Sequence, residues 1–276
     1  MADRVVISVI DGIADVRFNR ADKRNALDGE QFLAIAEAGE RLKTEPGVRA
    51  VVLSGEGASF CAGLDFSSFQ AMAGGGDSDG APTADDRRSS PGYLAPGAIT
   101  HLGQQVCWVW QEVPVPVIAA VHGHALGGGL QIALGADIRI VHPDTQLSVR
   151  EVFWGLVPDM TGTFVLSKLV RPDVAKELTF TARVFSGEEG GRLGLATRVS
   201  TTPYDDAMAL AREIAANSPD AVRGSKELFN LQFADGAAAQ FADERRVIGG
   251  LVGTPNQVEC VMASFEKRTP VFTDPA

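Results

Sequence analysis

The chain has 276 residues, a net charge of −10 and 45% hydrophobic residues, enough apolar material for a sizeable core in one large domain or one domain with an appendage. The negative balance argues against nucleic acid and anionic membranes as principal partners, while local basic residues can still bind an anionic small molecule. Three scattered cysteines, Cys61, Cys107 and Cys260, show neither a CxxC pair nor a zinc spacing and read as idle buried thiols of a reducing compartment. The N-terminus reads as no signal peptide, no apolar run approaches about 18 residues, and the expected location is the cytoplasm.

Near the N-terminus, RVVISVIDGIADVRFN alternates around a DG pair and predicts a β-hairpin. NALDGEQFLAIAEAGERLKTEPG predicts an amphipathic helix capped by Asp28. VRAVVLSG, VPVIAAVHG, DIRIV and QLSV are short apolar runs that predict strands. Strands alternating with helices over the first two-thirds indicate an α/β domain. From about Thr161 the chain reads as mostly helical, with start signals at Ser186/Glu189, Ser218-Pro219 and Thr254-Pro255/Gln257. The segment from Gln70 to Thr100 is rich in Gly, Ser, Asp and Pro, and is either a lid over a site or a plain surface insertion.

HALGGGLQIALGADIRI, from His124 to Ile140, places three glycines between a strand and a helix. Free backbone N–H groups at such a helix start stabilise a phosphate, a carboxylate or an oxyanion formed during a reaction. Neither the dinucleotide fingerprint nor a P-loop fits the spacing, which weakens the phosphate version. Close backbone packing at a tight turn explains the same glycines without any ligand. A second glycine-rich turn, GEGASFCAGLDFSSF, follows another strand, so that two turns can aim two N–H groups at one oxygen.

NRADKRNAL, SFCAGLDF, HGHALGGGLQIALGADIRI and EVFWGLVPD occur in this order, and with the closing ASFEKRTPVF they make the chain resemble the crotonase (enoyl-CoA hydratase/isomerase) superfamily from Val5 to Phe272. The resemblance implies a spiral of ββα units over residues 1–200 and a helical C-terminal trimerisation region over 201–276. It also implies acyl-CoA thioester substrates, assembly as a homotrimer or a hexamer (dimer of trimers), and no cofactor apart from the coenzyme A of the substrate. By the same resemblance, the N–H groups of Leu64 and Gly128 form an oxyanion hole for the thioester oxygen. Lys23 or Arg24 lies near the CoA phosphates, Ala26, Ala62, Gly63 and Asp65 line the CoA path, and Lys267 reaches a CoA phosphate in its own or a neighbouring subunit. NRA stands at Ala21 where the family usually has NRP.

Family hydratases use two glutamates. One is matched by Glu151; at the other position this chain has Gln131, which cannot exchange a proton. Losing one acid/base group costs roughly 10²–10⁴ in rate, which turns the expectation toward double-bond isomerisation with Glu151 as base. Asp159 matches an aspartate of the family's dienoyl-CoA isomerases, although it also reads as an N-cap for a helix starting near Thr161. An enoyl-CoA hydratase in which Gln131 orients water, and an acyl-CoA-binding protein without catalysis, stay open as alternatives. His122 and His124 read as structural, and neither a metal cluster nor a G-x-S-x-G elbow is seen.

Overall fold

The computed structural model describes residues 3–66, 68 and 89–273. The hairpin forms as the DG pair predicts: β1 (Val5–Ile10) runs antiparallel to β2 (Ile13–Phe18), with Ile10 opposite Ile13. Asp11 and Gly12 turn the chain at φ +52° and +80°, matching the twist of the two strands. Asp28 caps α1 (Gly29–Thr44) by accepting from the Gln31 N–H at 2.9 Å.

β3 (Ala50–Gly55), α2 (Leu102–Glu112) and β4 (Val117–Val121) follow. The short turn at His122-Gly123 then carries the chain out of the main sheet into β5 (His124–Leu126), and α3 (Gly128–Gly135) leads back to β6 (Ile138–Val141). After β7 (Gln146–Ser148) come α4 (Gly162–Leu169), α5 (Pro172–Thr181), β8 (Phe185–Ser186), α6 (Gly187–Leu193) and β9 (Arg198–Val199). Four helices close the chain: α7 (Pro203–Ala215), α8 (Pro219–Phe233), α9 (Ala237–Leu251) and α10 (Pro255–Glu266). The main sheet has the order β1-β2-β3-β4-β6-β9, parallel except for the hairpin, and β5-β7-β8 form a small second sheet.

The central strands are buried on both faces, which is why their sequences read as continuous apolar runs. Val51 and Leu53 of β3 point into the larger core shared with α1, α2 and α3. Ala50 and Val52 point the other way, where Ala207, Ala211 and Ala215 let α7 lie close against the sheet. α8 and α9 dock on the body of the same chain through a ring cluster. Trp108 meets Phe241 at 5.0 Å between centroids, and Phe164 meets Phe233 at 5.6 Å and Phe241 at 5.5 Å. Such aromatic pairs contribute about 0.5–1.5 kcal/mol each beyond their buried area.

The stretch that follows β3, residues 60–65, is sewn down on two sides. Phe60 and Cys61 donate their N–H groups to His122 and His124, each at 2.9 Å, and Leu126 N–H returns to Cys61 C=O at 3.2 Å. On the other side, Leu27 N–H donates to Gly63 C=O at 2.8 Å and Asp65 N–H to Leu27 C=O at 2.9 Å. This double seam brings the two glycine-rich turns together. A Cβ on Gly129 would stand 2.1 Å from the carbonyl oxygen of Cys61. The lid-or-insertion question for 70–100 lies outside the described residues up to 88; beyond it, Pro91 and Tyr93 accept from the first turn of α2.

Gly129→Ala must force these backbones apart. The expected result is destabilisation of about 3 kcal/mol or more, read as a lowered urea midpoint; a midpoint unchanged from the parent would show that the seam is not as tight as described.

Candidate active site

Leu64 sits in the seam by a bridge to Leu27 that uses the groups of its neighbours, Gly63 C=O and Asp65 N–H. Its own N–H therefore points away from the bridge. Gly128 opens α3, where the first N–H groups have no intrahelical acceptor. Among the described residues, no backbone hydrogen bond outside the regular elements uses either N–H. The two turns are in contact: a Cβ on Gly63 would lie 2.5 Å from Leu126 C=O and 3.9 Å from Gly128 N. Gly63 has φ +89°, a conformation that also calls for glycine. Leu27 and Met160 wall the space in front of Gly128.

Glu151 starts a 3₁₀ turn, Glu151–Trp154, that follows β7. Its carboxylate lies beside the same glycines, since a Cβ on Gly127 would stand 3.1 Å from Glu151 Oε1. Oε1 accepts from Gln131 Nε2 at 2.6 Å, while Oε2 is buried with no partner among the described residues. Gln131 in turn accepts the N–H of Met160 on its Oε1 at 3.0 Å. An amide N–H can only donate, so Met160 fixes which end of Gln131 is oxygen and which faces Glu151. Both ends of Gln131 are thereby engaged, and it is nearly fully buried. Burial pushes the Glu151 carboxyl up to about 7, against the smaller opposing pull of its hydrogen bonds.

Asp159 lies in the same region and is also pushed up to about 7, first by burial and then by the nearby charge of Glu151. It does not cap the following helix. Thr161 occupies the N-cap position at φ +68°, and the capping carboxylate comes from Glu244 of α9, which accepts from Thr161 N–H at 3.0 Å and Thr163 N–H at 3.2 Å. A charge at this helix start meets the free N–H groups and the positive end of the dipole. The local sequence made Asp159 the candidate; a residue from the C-terminal helices wins because tertiary packing delivers it there.

The remaining candidates lie in the turns around residues 23–26 and 62–65 and at the end of α10. Lys23 ends a 3₁₀ turn (Ala21–Lys23), and Arg24 follows it in left-handed conformation at φ +51°; both are exposed. Arg24 C=O accepts from Ala62 N–H at 3.0 Å, and Ala26 is buried. Asp65 is held by Arg20, Nη1 to Oδ2 at 2.7 Å, and Arg20 also pairs with Asp28 at 3.1 Å. Lys267 is exposed at the end of α10. That helix packs near Leu64 of the same chain: Phe265 meets Phe66 at 6.0 Å and Val261 packs with Leu156, Leu64 and Trp154. His122 and His124 fasten the turn at 57–59 through Gly57 C=O at 3.0 Å and Ser59 Oγ at 2.9 Å.

Sequence reasoning missed His101, Gln104 and Glu244. His101 lies 3.8 Å, Nε2 to Oδ2, from Asp159. Its imidazole caps α2 by accepting from Gln104 N–H on Nδ1 at 3.0 Å, and Gln104 Nε2 donates to Glu244 at 3.1 Å. The three-residue spacing of His101 and Gln104 is that of a capping box and is legible once histidine is admitted as a cap; Glu244 has no local signal.

Residues 13–273 match the family model described as enoyl-CoA hydratase/isomerase. The chain is 31% identical over 269 residues to a short-chain-enoyl-CoA hydratase of Clostridium acetobutylicum, covering 96% of each. It is 30% identical to a mitochondrial Δ(3,5)-Δ(2,4)-dienoyl-CoA isomerase of Mus musculus, covering 93% of this chain and 77% of that protein. A crystal structure of an enoyl-CoA hydratase/isomerase from Pseudoalteromonas atlantica superposes with a TM-score of 0.82 at 25% identity, covering 98% of this chain and all of that one (100%). With this match along its whole described body, the chain belongs to the enoyl-CoA hydratase/isomerase, or crotonase, family of enzymes that act on acyl-CoA thioesters.

Proposed function

We propose that this chain moves a double bond in an enoyl-CoA thioester by proton transfer through an enolate. The observation that carries the reading is the pairing of Glu151 and Asp159 beside two adjacent glycine turns, with the third acid/base position filled by an engaged amide. The thioester oxygen is taken to lie between the N–H groups of Leu64 and Gly128. Glu151 removes a proton from C2, and the electron pair moves through the conjugated system to that oxygen. A proton is then delivered at the far end of the system, by Glu151 itself or by Asp159, and the double bond reforms. One oxyanion donor contributes about 3 kcal/mol to such a barrier. Two neighbouring carboxyls, Glu151 buried and Asp159 half-buried, whose charges repel favour sharing one proton between them, which suits one group taking while the other gives.

Hydration is the second reading. It is supported by the hydratase names among the relatives and by the unpartnered Glu151 Oε2, which can hold a water. Against it stands Gln131, which already gives one N–H to Glu151 and accepts one from Met160 and, unlike a carboxyl, cannot exchange a proton. In either reading Lys23, Arg24 and Lys267 meet the CoA phosphates, with Ala26, Ala62, Gly63 and Asp65 along its path, and no cofactor is needed. We further propose a cytoplasmic homotrimer or dimer of trimers; among the described residues no helix is long and apolar enough to cross a membrane. Leu228, Phe229 and Leu231 of α8, at 66–76% exposure, are apolar surface that such assembly can cover.

Incubation with 3-enoyl-, 2-enoyl- and 3,5-dienoyl-CoA thioesters, with products analysed by mass and chromatography, tests this directly. The expected product is an isomer of unchanged mass, formed at least about 10²-fold more slowly by Glu151→Gln. A product heavier by one water selects the hydratase, and tight binding without turnover selects a binding protein.

The same burial has a stability signature. A carboxyl raised to about 7 in the folded chain keeps a proton that the unfolded chain releases near pH 4, so stability falls as pH rises between those values. Glu151→Gln is therefore expected to be more stable than the parent at pH 8, by about 1–3 kcal/mol, with the difference gone near pH 4. Urea unfolding at the two pH values measures it.

A further inference from the structure

His101 has a position that helix capping alone does not explain. Serine, threonine, aspartate and asparagine are the preferred N-cap residues, and each serves with a shorter side chain. Here the imidazole lies back over the first turn of α2, and the chain makes room for it: a Cβ on Gly103 would stand 3.0 Å from His101 Cε1 and 3.3 Å from Nδ1. Gln104 N–H donates to Nδ1, so Nδ1 carries no proton and the neutral ring must carry it on Nε2. What histidine adds over a preferred cap is this second nitrogen, a donor on the far side of the ring, and it faces Asp159 Oδ2 at 3.8 Å.

We propose that His101 is a positioning residue for Asp159, its fixed Nε2–H orienting that carboxylate and stabilising it whenever it is ionised. The inference deepens the proton-transfer reading and rests on it for its consequence in catalysis. At 3.8 Å the hydrogen bond is not formed, and such contacts commonly tighten when substrate loads the site. The donor is held in direction from behind. Gln104 gives its N–H to Nδ1, its Nε2 to Glu244 and to Phe241 C=O, and accepts Arg245 Nη1 at 2.8 Å. The charged and titratable groups around the pair are Glu151 on its 3₁₀ turn, Glu244 and Arg245 on α9 and Cys107 on α2. Burial, with a smaller push from Arg245, holds the imidazole down to about 4, so the ring stays a neutral donor over the working range.

His101→Asn is the informative variant, because asparagine keeps the cap on Gln104 N–H and is too short to present a donor to Asp159. Titration of aspartate carboxyls by 13C NMR with a saturated acyl-CoA, which cannot react, in excess, and with the Asp159 signal assigned by its loss in Asp159→Asn, reads the effect without any assay of turnover. The Asp159 midpoint is expected to rise by roughly one pH unit in His101→Asn, with an unchanged melting temperature. kcat is expected to fall about tenfold at unchanged KM, and the limb of the pH–rate profile that Asp159→Asn removes is expected to move to higher pH. An unmoved midpoint in a folded His101→Asn protein overturns the proposal. If the midpoint moves while Asp159→Asn leaves turnover intact, it is the catalytic reading of Asp159 that fails, not the contact. Should His101→Asn not fold, 15N NMR of the histidine side chains in the parent decides. An Nε2–H tautomer whose shift follows the Asp159 titration supports the proposal. A ring that protonates near its ordinary pH, or ignores Asp159→Asn, overturns it.

Discussion

The carboxylate of Glu244 joins the two parts of this molecule. It is carried by a C-terminal helix, yet it accepts hydrogen bonds from Thr161, Thr163 and Gln104, all in the body of the chain. Those partners fix the start of α4, and the chain just before that start carries Asp159 and Met160. Met160 orients Gln131, and Gln131 holds one oxygen of Glu151. A buried carboxylate without such donors would cost several kcal/mol. With them, the charge that completes α4 also anchors the segment that carries Asp159 and Met160.

The glycine turns solve a separate problem, that of bringing backbone from distant parts of the chain into contact. Leu64 is held there by pairing with Leu27 through its neighbours, which leaves its own N–H out of the bridge. Gly128 stands first in a helix, where its N–H has no intrahelical acceptor. Neither device specifies a side chain at the donor, so the positions that must be invariant in shape are the glycines that let backbones touch, above all Gly63 against Leu126 C=O and Gly129 against Cys61 C=O. Donors aimed before the reaction need no reorganisation during it.

Much of this was legible because it is local. The DG turn, the Asp28 cap and the two-sided apolar strands each announce themselves within a few residues. The glycine triplet was legible from pattern as a helix start with free N–H groups, whereas Glu151 was legible through resemblance alone. The assignments that failed or were missed depend on residues far apart in sequence. Asp159 reads as a cap in its own segment, but Glu244, from α9, takes that place. Gln131 reads as able to orient water, and the local sequence does not show that Glu151 and Met160 each engage one end of it. His101 carries no signal until Asp159 is known to face it.

The amide at 131 then has an electrostatic reason. Glu151 and Glu244 are buried and Asp159 half-buried, and the charge of Glu244 bears on both of the others. Burial and mutual repulsion raise Glu151 and Asp159 until they titrate near neutral pH. A further carboxylate at 131 would meet Glu151 oxygen to oxygen, where Gln131 now offers a donor at 2.6 Å. Either the two would share a proton or both would ionise at a cost of several kcal/mol. The neutral amide keeps Glu151 oriented while leaving its second oxygen unengaged. On the proposed proton-transfer reading, an amide at 131 leaves Glu151 and Asp159 as the two titratable groups beside the glycine turns.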